Sequence, residues 1–334
     1  VLATLALLTL LAPLPQQQPA ETPNASQAQV EKPGFRIGVA VNQIFLPVTA
    51  RSTQGGFVQG LTKDDFQVFE DGVKQDIANF YSESAVPVHV ALLLDVSGST
   101  SSISAEIRRA ALEFAKNLSK DDQVAIIAFN YQPRLILNWT NDLEKIQTSL
   151  DSVYPRGNTV LHDALYVTFD DLLKSADGRK AVILLTDGAD TGSMVSRDEV
   201  VRMAIDSEAV VYVVSKVDEY WAGAIAARAE YAAHARMIPE EYTDEYIIAN
   251  RRFLQRISEQ TGGKVLDTRA YGSLSDIYKA VADELKNQYY LSYEPKNIIR
   301  DGAWRNIEIR ALRPGVVVNT RPGYFASREP AASN

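Results

Sequence analysis

The sequence predicts an α/β protein. It has a doubly wound, mostly parallel sheet flanked by N- and C-terminal β-strands that form a small β-sandwich-like domain. Three observations carry this expectation. Between residues 86 and 288, continuous apolar runs such as VPVHVALLLD, KAVILLTD and AVVYVVSK alternate with amphipathic stretches, and strands apolar on both faces belong to covered parallel sheets. Residues 35–85 and 289–327 instead carry short β-branched and aromatic runs punctuated by glycine turns, the texture of antiparallel strands. A hydrophobic share of 46% and a charged share of 23% are those of a globular chain.

The elements follow in order. Residues 1–14, VLATLALLTLLAPL, are apolar but shorter than the roughly 20 residues that span a bilayer. They are expected to be a secretory signal, with an uncleaved anchor or a buried core segment as alternatives. Residues 15–34 are rich in Pro, Gln, Ala and Ser and read as a disordered linker. The chain is therefore expected to be exported: periplasmic, cell-surface or secreted, with no bilayer-spanning segment in its mature form. Residues 35–85 supply three or four strands, with an Asp-Gly turn inside DFQVFEDGVKQ.

The α/β region, 86–288, opens on VPVHVALLLD. A helix follows, in which Ile107, Ala110, Ala111, Phe114, Ala115 and Leu118 share one face. QVAIIAFN and PRLILNW are close enough to pair as a hairpin. Helices are expected over DLEKIQTSLDSV, over TVLHDALYVTFDDLLKS as one long element, over SRDEVVRMAIDSE, and over SLSDIYKAVADELKNQ. KVLDT supplies a last strand. Between AVVYVVSK and KVLDT there is more chain than one crossover needs. EYIIANRRFLQRISEQ, stopped by Gly-Gly, is taken as the crossover helix and residues 217–243 as a helical insertion. Residues 328–334 form a loose tail.

Composition excludes several function classes. A net charge of −8 argues against nucleic acid as a partner, since phosphate binding needs a basic surface. The absence of cysteine removes disulfides, thiolate nucleophiles and zinc-thiolate sites. His89, His162 and His234 are too scattered to form a metal site.

What remains is a set of strand ends. In an open parallel sheet the loops at the carboxyl ends of the strands share one rim, where ligands bind. Asp95 ends one apolar strand and Asp187 ends another in the same manner, while Thr159 precedes a helix. If these loops meet, Asp95, Ser97, Ser99, Thr159 and Asp187 offer two carboxylates and three hydroxyls without nitrogen or sulfur. That set suits Mg²⁺, Mn²⁺ or, less well, Ca²⁺. A coordination position left to water can accept an Asp or Glu carboxylate from a partner protein.

In this order the motifs DVSGST, GNT and TDG resemble the metal-ion-dependent adhesion site of von Willebrand factor A domains, with all five positions matching. The flanks, GFVQGLTKDDFQVFEDGVKQ before and ELKNQYYLSYEP after, resemble a bacterial group of exported proteins that carry such a domain. The resemblance implies a Rossmann-like fold over 86–288, a bound divalent ion, and protein binding rather than catalysis.

Blander readings stand beside this one. Ser97 and Ser99 suit a helix N-cap, and Asp187-Gly188 suits a simple turn. Asp163 and Asp190 are candidates for supporting the metal ligands, or are structural. His162 is expected to pack or lie at the surface. The insertion is a flap over the rim or a selectivity element, with Tyr220 and Trp221 as its candidate contacts. The alternatives in function are a scaffold whose metal only stabilises the fold, and a phosphatase of the haloacid dehalogenase type. The latter needs a second aspartate two residues after Asp95, where Ser97 stands.

Overall fold

A computed structural model describes residues 43–82, 86–98, 100, 104–154, 157–234 and 236–328. The expected signal and linker segments lie outside these residues, as do Ser99 and nearly all of the expected tail. The chain begins with β1 (Ile44–Ser52), β2 (Phe66–Glu70), β3 (Val73–Gln75) and β4 (Ile77–Tyr81). Then come β5 (Val88–Asp95), α1 (Ser104–Lys116), β6 (Gln123–Phe129), β7 (Pro133–Thr140), α2 (Leu143–Asp151) and α3 (Leu161–Val167). These are followed by β8 (Arg179–Thr186), α4 (Arg197–Asp206), β9 (Val210–Ser215), α5 (Val217–Ala233), α6 (Asp244–Gln260) and β10 (Lys264–Asp267). After α7 (Thr268–Tyr271) and α8 (Leu274–Lys286), the chain closes with β11 (Gln288–Tyr293), β12 (Trp304–Ala311), β13 (Val316–Asn319) and β14 (Gly323–Phe325).

The fold class is the one the sequence predicts. A six-stranded sheet has the order β10-β9-β8-β5-β6-β7 and is parallel except for the β6–β7 hairpin. Helices cover both faces. On one, Ile107 and Phe114 of α1, Ile146 of α2 and Ile277 and Val281 of α8 pack on the sheet. On the other, Leu161 and Leu165 of α3, Val200 of α4 and Phe253 and Leu254 of α6 do the same. Burying side chains of this size stabilises the fold by about 1.5–3 kcal/mol each. From β5 the chain moves to β6 on one side and later to β8 on the other, so strand order reverses between β5 and β8. That reversal opens a crevice at their carboxyl ends.

The flanking strands form two further four-stranded sheets, β13-β1-β11-β4 and β14-β12-β2-β3. They share one core, built by Leu46, Val48, Phe66, Val68, Tyr289 and Tyr293 among others. The hydroxyls of Tyr293 and Tyr324 both donate to Glu70 Oε2, at 2.7 and 2.9 Å. Polar ties join the sandwich to the α/β region. Buried Glu284 of α8 accepts from Arg51 of β1 at 2.9 Å and from the Tyr212 hydroxyl of β9 at 3.2 Å, and it pairs with Lys264. Arg179, at the start of β8, donates to the carbonyls of Val86 and Leu285 at 2.8 and 2.7 Å. It thereby pins both connections between the two regions.

One local expectation changes, and the helical segment expected over 217–243 takes a definite form. The single helix expected over 159–175 is three pieces: α3, a wide π-type turn at Thr168–Leu172, and a tight turn at Leu173–Ser175. Thr168 bonds its own hydroxyl back to the Ala164 carbonyl at 2.7 Å, a contact that bends helices. Within 217–243, α5 runs uninterrupted from the end of β9, and a tight turn at Glu240–Tyr242 leads to Thr243, the N-cap of α6. No helix among the described residues is long and apolar enough to cross a membrane.

Candidate metal centre

β5 delivers Asp95 to the crevice because its register with β6 and β8 buries the run Val90–Leu94 before it. The Ser97 N–H donates to Asp95 Oδ1 at 3.0 Å, and the Thr186 hydroxyl to Asp95 Oδ2 at 3.0 Å. The Ser97 hydroxyl also bonds Asp95. At the end of β8 the backbone turns at Gly188, whose φ of +82° favours glycine. Asp187 Oδ1 accepts the Ala189 N–H at 3.0 Å.

The third loop is drawn to the other two by backbone bonds. Gly157 accepts from the Gly98 N–H at 3.2 Å. Thr159 and Thr191 bond reciprocally, with the Thr159 N–H on Thr191 Oγ1 at 3.2 Å and the Thr191 N–H on the Thr159 carbonyl at 2.9 Å. Asp95, Ser97, Thr159 and Asp187 are each no more than 4% exposed.

Burial raises the Asp95 carboxyl to about 7, and the charge of Asp187 adds to the rise, while the Ser97 and Thr186 hydrogen bonds oppose it. The groups acting most strongly on Asp95 include no cation. Two buried carboxylates side by side are costly when both ionise, and a cation between them removes that cost. Among the described residues no three His, Asp or Glu side chains are grouped so that they could hold a metal ion, and the donors here are two carboxylates, Asp95 and Asp187, with the hydroxyls of Ser97 and Thr159. This chemistry fits a hard divalent ion.

The structure thus brings Asp95, Ser97, Thr159 and Asp187 to one crevice; Ser99 falls outside the described residues. Asp190 and Asp163 support loops. Asp190 Oδ1 accepts from the Leu161 N–H at 2.8 Å and the Ser193 hydroxyl at 2.5 Å. Asp163 Oδ1 accepts the Met194 and Val195 N–H groups at 2.9 and 3.0 Å. His162 packs edge-on against Phe253, with Nδ1 3.3 Å from Asp190, and burial lowers its pKa. Tyr220 and Trp221 lie partly buried against the apolar cluster under α5. The Tyr220 hydroxyl donates to the Glu241 carbonyl at 2.9 Å, and Arg251 stands over the Trp221 ring.

Sequence reasoning missed Thr186, Thr191 and Tyr246. The Tyr246 hydroxyl donates to the Asp190 carbonyl at 2.7 Å and accepts the Asp190 N–H at 2.8 Å, which ties α6 to the β8 loop. Only Thr186 had a local signal, its place beside Asp187 at a strand end.

A family model described as von Willebrand factor type A domain matches residues 89–260. No protein of curated function matches the chain. Among solved structures, a von Willebrand factor type A protein from Catenulispora acidiphila is similar at 12% identity and TM-score 0.46, over 87% of this chain and 74% of that one. An aerotolerance-related membrane protein from Bacteroides fragilis is similar at 17% identity and TM-score 0.42, over 59% of this chain and 98% of that one. The vWF domain of the type V pili tip protein Mfa5 from Porphyromonas gingivalis is similar at 18% identity and TM-score 0.31, over 33% of this chain. The present chain spans 42% of the length of that protein.

Proposed function

The chain belongs to the von Willebrand factor type A domain family, and on that premise we propose that its sheet rim is a cation-dependent docking site for a protein partner. The observation that carries this reading is the pair Asp95 and Asp187, two buried carboxylates from adjacent strand ends that oppose each other's ionisation. Asp95, Ser97, Thr159 and Asp187, with Ser99, would hold Mg²⁺, Mn²⁺ or Ca²⁺. When bound, such an ion supplies a Lewis-acidic position that takes a carboxylate from an Asp or Glu of the partner. Asp95 and Asp187 contribute the charge that neutralises the ion. The hydroxyls contribute weak donation and leave room for an outside ligand.

Docking is favoured over scaffolding because protein hydrogen bonds already tie the loops together. Gly98 holds Gly157, Thr159 holds Thr191, and Asp190 holds Leu161. Binding is favoured over phosphoryl transfer because Ser97, whose hydroxyl bonds Asp95, stands where a general acid is needed. We place the chain outside the cytoplasm on the apolar run at residues 1–14 and the polar stretch that follows it; fractionation of the source cells tests this.

The central experiment is titration of the full chain with Mg²⁺ by calorimetry, beside Asp95→Ala, followed by capture of partners in Mg²⁺ and in chelator. Saturable Mg²⁺ binding that Asp95→Ala abolishes, with capture lost in chelator, is expected. Capture that ignores both changes would sink the docking reading.

A further inference from the structure

Beside the candidate ion site, the β6–β7 hairpin presents an exposed aromatic, Tyr131, and an arginine, Arg134, that forms no ion pair among the described residues. Tyr131, at the hairpin tip, is 63% exposed. Its ring lies against Gly157, so closely that a Cβ on that glycine would stand 2.1 Å from Tyr131 Cε2. Gly157 is the residue that accepts the Gly98 N–H, so Tyr131 borders the loop of Asp95 and Ser97. Tyr154 and Leu135 are exposed nearby in the chain, after α2 and on β7.

Arg134 follows Tyr131 by three residues. It forms no ion pair among the described residues, and its Nε is buried with no hydrogen-bond partner. This is notable in a chain with 42 acidic and 34 basic residues, since a buried guanidinium nitrogen normally finds a hydrogen-bond acceptor. Its position follows from register. Arg134 lies opposite Ala128, and Ala128 lies opposite Leu94, the residue before Asp95. Paired residues share a sheet face, and with strands about 4.8 Å apart the Arg134 backbone is roughly 10 Å from that of Leu94.

We propose that Tyr131 and Arg134 form a second contact for the docked partner, and that the partner segment is extended and doubly acidic. One carboxylate goes to the ion site, a second carboxylate pairs with Arg134, and an apolar side chain between them lies on Tyr131. At about 3.3 Å per residue, the two acidic positions are separated by about three residues. Charge complementarity carries the choice of partner: an ion site that takes a carboxylate, and beside it a cation that no carboxylate among the described residues neutralises. The inference rests on the docking reading above, and the experiment separates the two.

The probes are the capped peptides Asp-Gly-Phe-Asp and Asp-Gly-Phe-Asn, labelled and titrated against the full chain in Mg²⁺ and in chelator. Mg²⁺ binding is measured separately. In Mg²⁺ the doubly acidic peptide is expected to bind about tenfold tighter than the singly acidic one. Arg134→Gln should erase that difference and leave Mg²⁺ affinity unchanged, while Arg134→Lys keeps part of it. Tyr131→Ala should weaken both peptides. Equal affinities for the two peptides, no binding of either, or a difference that survives in Arg134→Gln each overturn the inference. If Mg²⁺ does not bind but the Arg134-dependent difference persists, the contact stands and the ion reading fails. A thermal melt of each variant identifies loss of fold, and Arg134→Lys then decides.

Discussion

Thr186 donates its hydroxyl to Asp95 Oδ2 across 3.0 Å, and Thr186 Oγ1 in turn accepts the Gly188 N–H at 3.0 Å. The strand end that delivers one candidate ligand therefore also holds the other in place. Thr186→Val keeps the shape and removes both bonds. Groups that orient metal ligands in this way typically contribute 10–100-fold in affinity, so Mg²⁺ affinity is expected to drop by about tenfold or more in Thr186→Val and much less in Thr186→Ser. Calorimetric titration checks this, and equal affinities in all three chains would refute the positioning role.

A second expectation concerns pH. Burial, and then the Asp187 charge, raise the Asp95 carboxyl to about 7 in the folded, ion-free chain, against about 3.9 when unfolded. Between those values the folded state holds the extra proton, so the ion-free chain loses stability as pH rises from about 4 to about 7. Mg²⁺ selects the ionised form, so the Tm difference between Mg²⁺ and chelator should widen over that range. Melts at several pH values test the sign. Asp95→Asn should flatten the slope in chelator.

Glu284 is expected to matter for stability and not for the ion. It is 2% exposed and joins Arg51, Lys264 and the Tyr212 hydroxyl. Removing one member of a buried ionic group typically costs about 3–5 kcal/mol. Arg51 and Lys264 stay partly hydrated here, which places Glu284→Ala near about 3 kcal/mol in denaturant unfolding, the low end of that range. Its Mg²⁺ affinity should equal that of the parent. A loss below about 1 kcal/mol, no more than an ordinary hydrogen bond, would show that the tie carries little.

Gly157→Ala tests the packing at the hairpin tip. The φ of +82° alone costs an L-residue about 1–2 kcal/mol, and the Tyr131 ring blocks the new methyl. The double change Gly157→Ala with Tyr131→Ala should recover the steric share and keep the backbone share. Thermal melts of the three variants separate the two; additive losses would mean that the ring was never in the way.

Much of this was legible in the chain. Apolar runs ending in Asp95 and Asp187 placed two carboxylates at strand ends, because a strand buried on both faces has only its ends free for polar groups. Thr186 had its place beside Asp187 as a signal, but a β-branched residue at the end of β8 fits any strand, so its hydroxyl bond to Asp95 was not legible. Thr191 and Tyr246 act through partners 32 and 56 residues away in sequence, which no local period encodes. The break at Thr168 was hidden for a different reason. A threonine's hydrophobic spacing fits a regular helix, and only its hydroxyl bond to Ala164 reveals the bend. Arg134 looks in sequence like one more charge on an edge strand. That its buried Nε meets no hydrogen-bond partner among the described residues is a fact of three dimensions.

Tyr81 of β4 lies opposite Tyr290 of β11, so the chain leaves the sandwich and re-enters it on neighbouring strands. Everything from β5 to α8 is made between those two events. During synthesis β2 and β3 can pair with each other, but β1 and β4 must wait for β11, and β2 for β12, strands that do not yet exist. Bringing such distant segments together in a loose chain carries an entropic penalty that grows with the length between them. The folded α/β region reduces that separation to one strand spacing, and Arg179 fastens both of its exits, at Val86 and Leu285. The region that carries the candidate ion site thus also sets the spacing at which the two halves of the sandwich meet, and a defect in its folding would leave β1 and β4 without their register against β11.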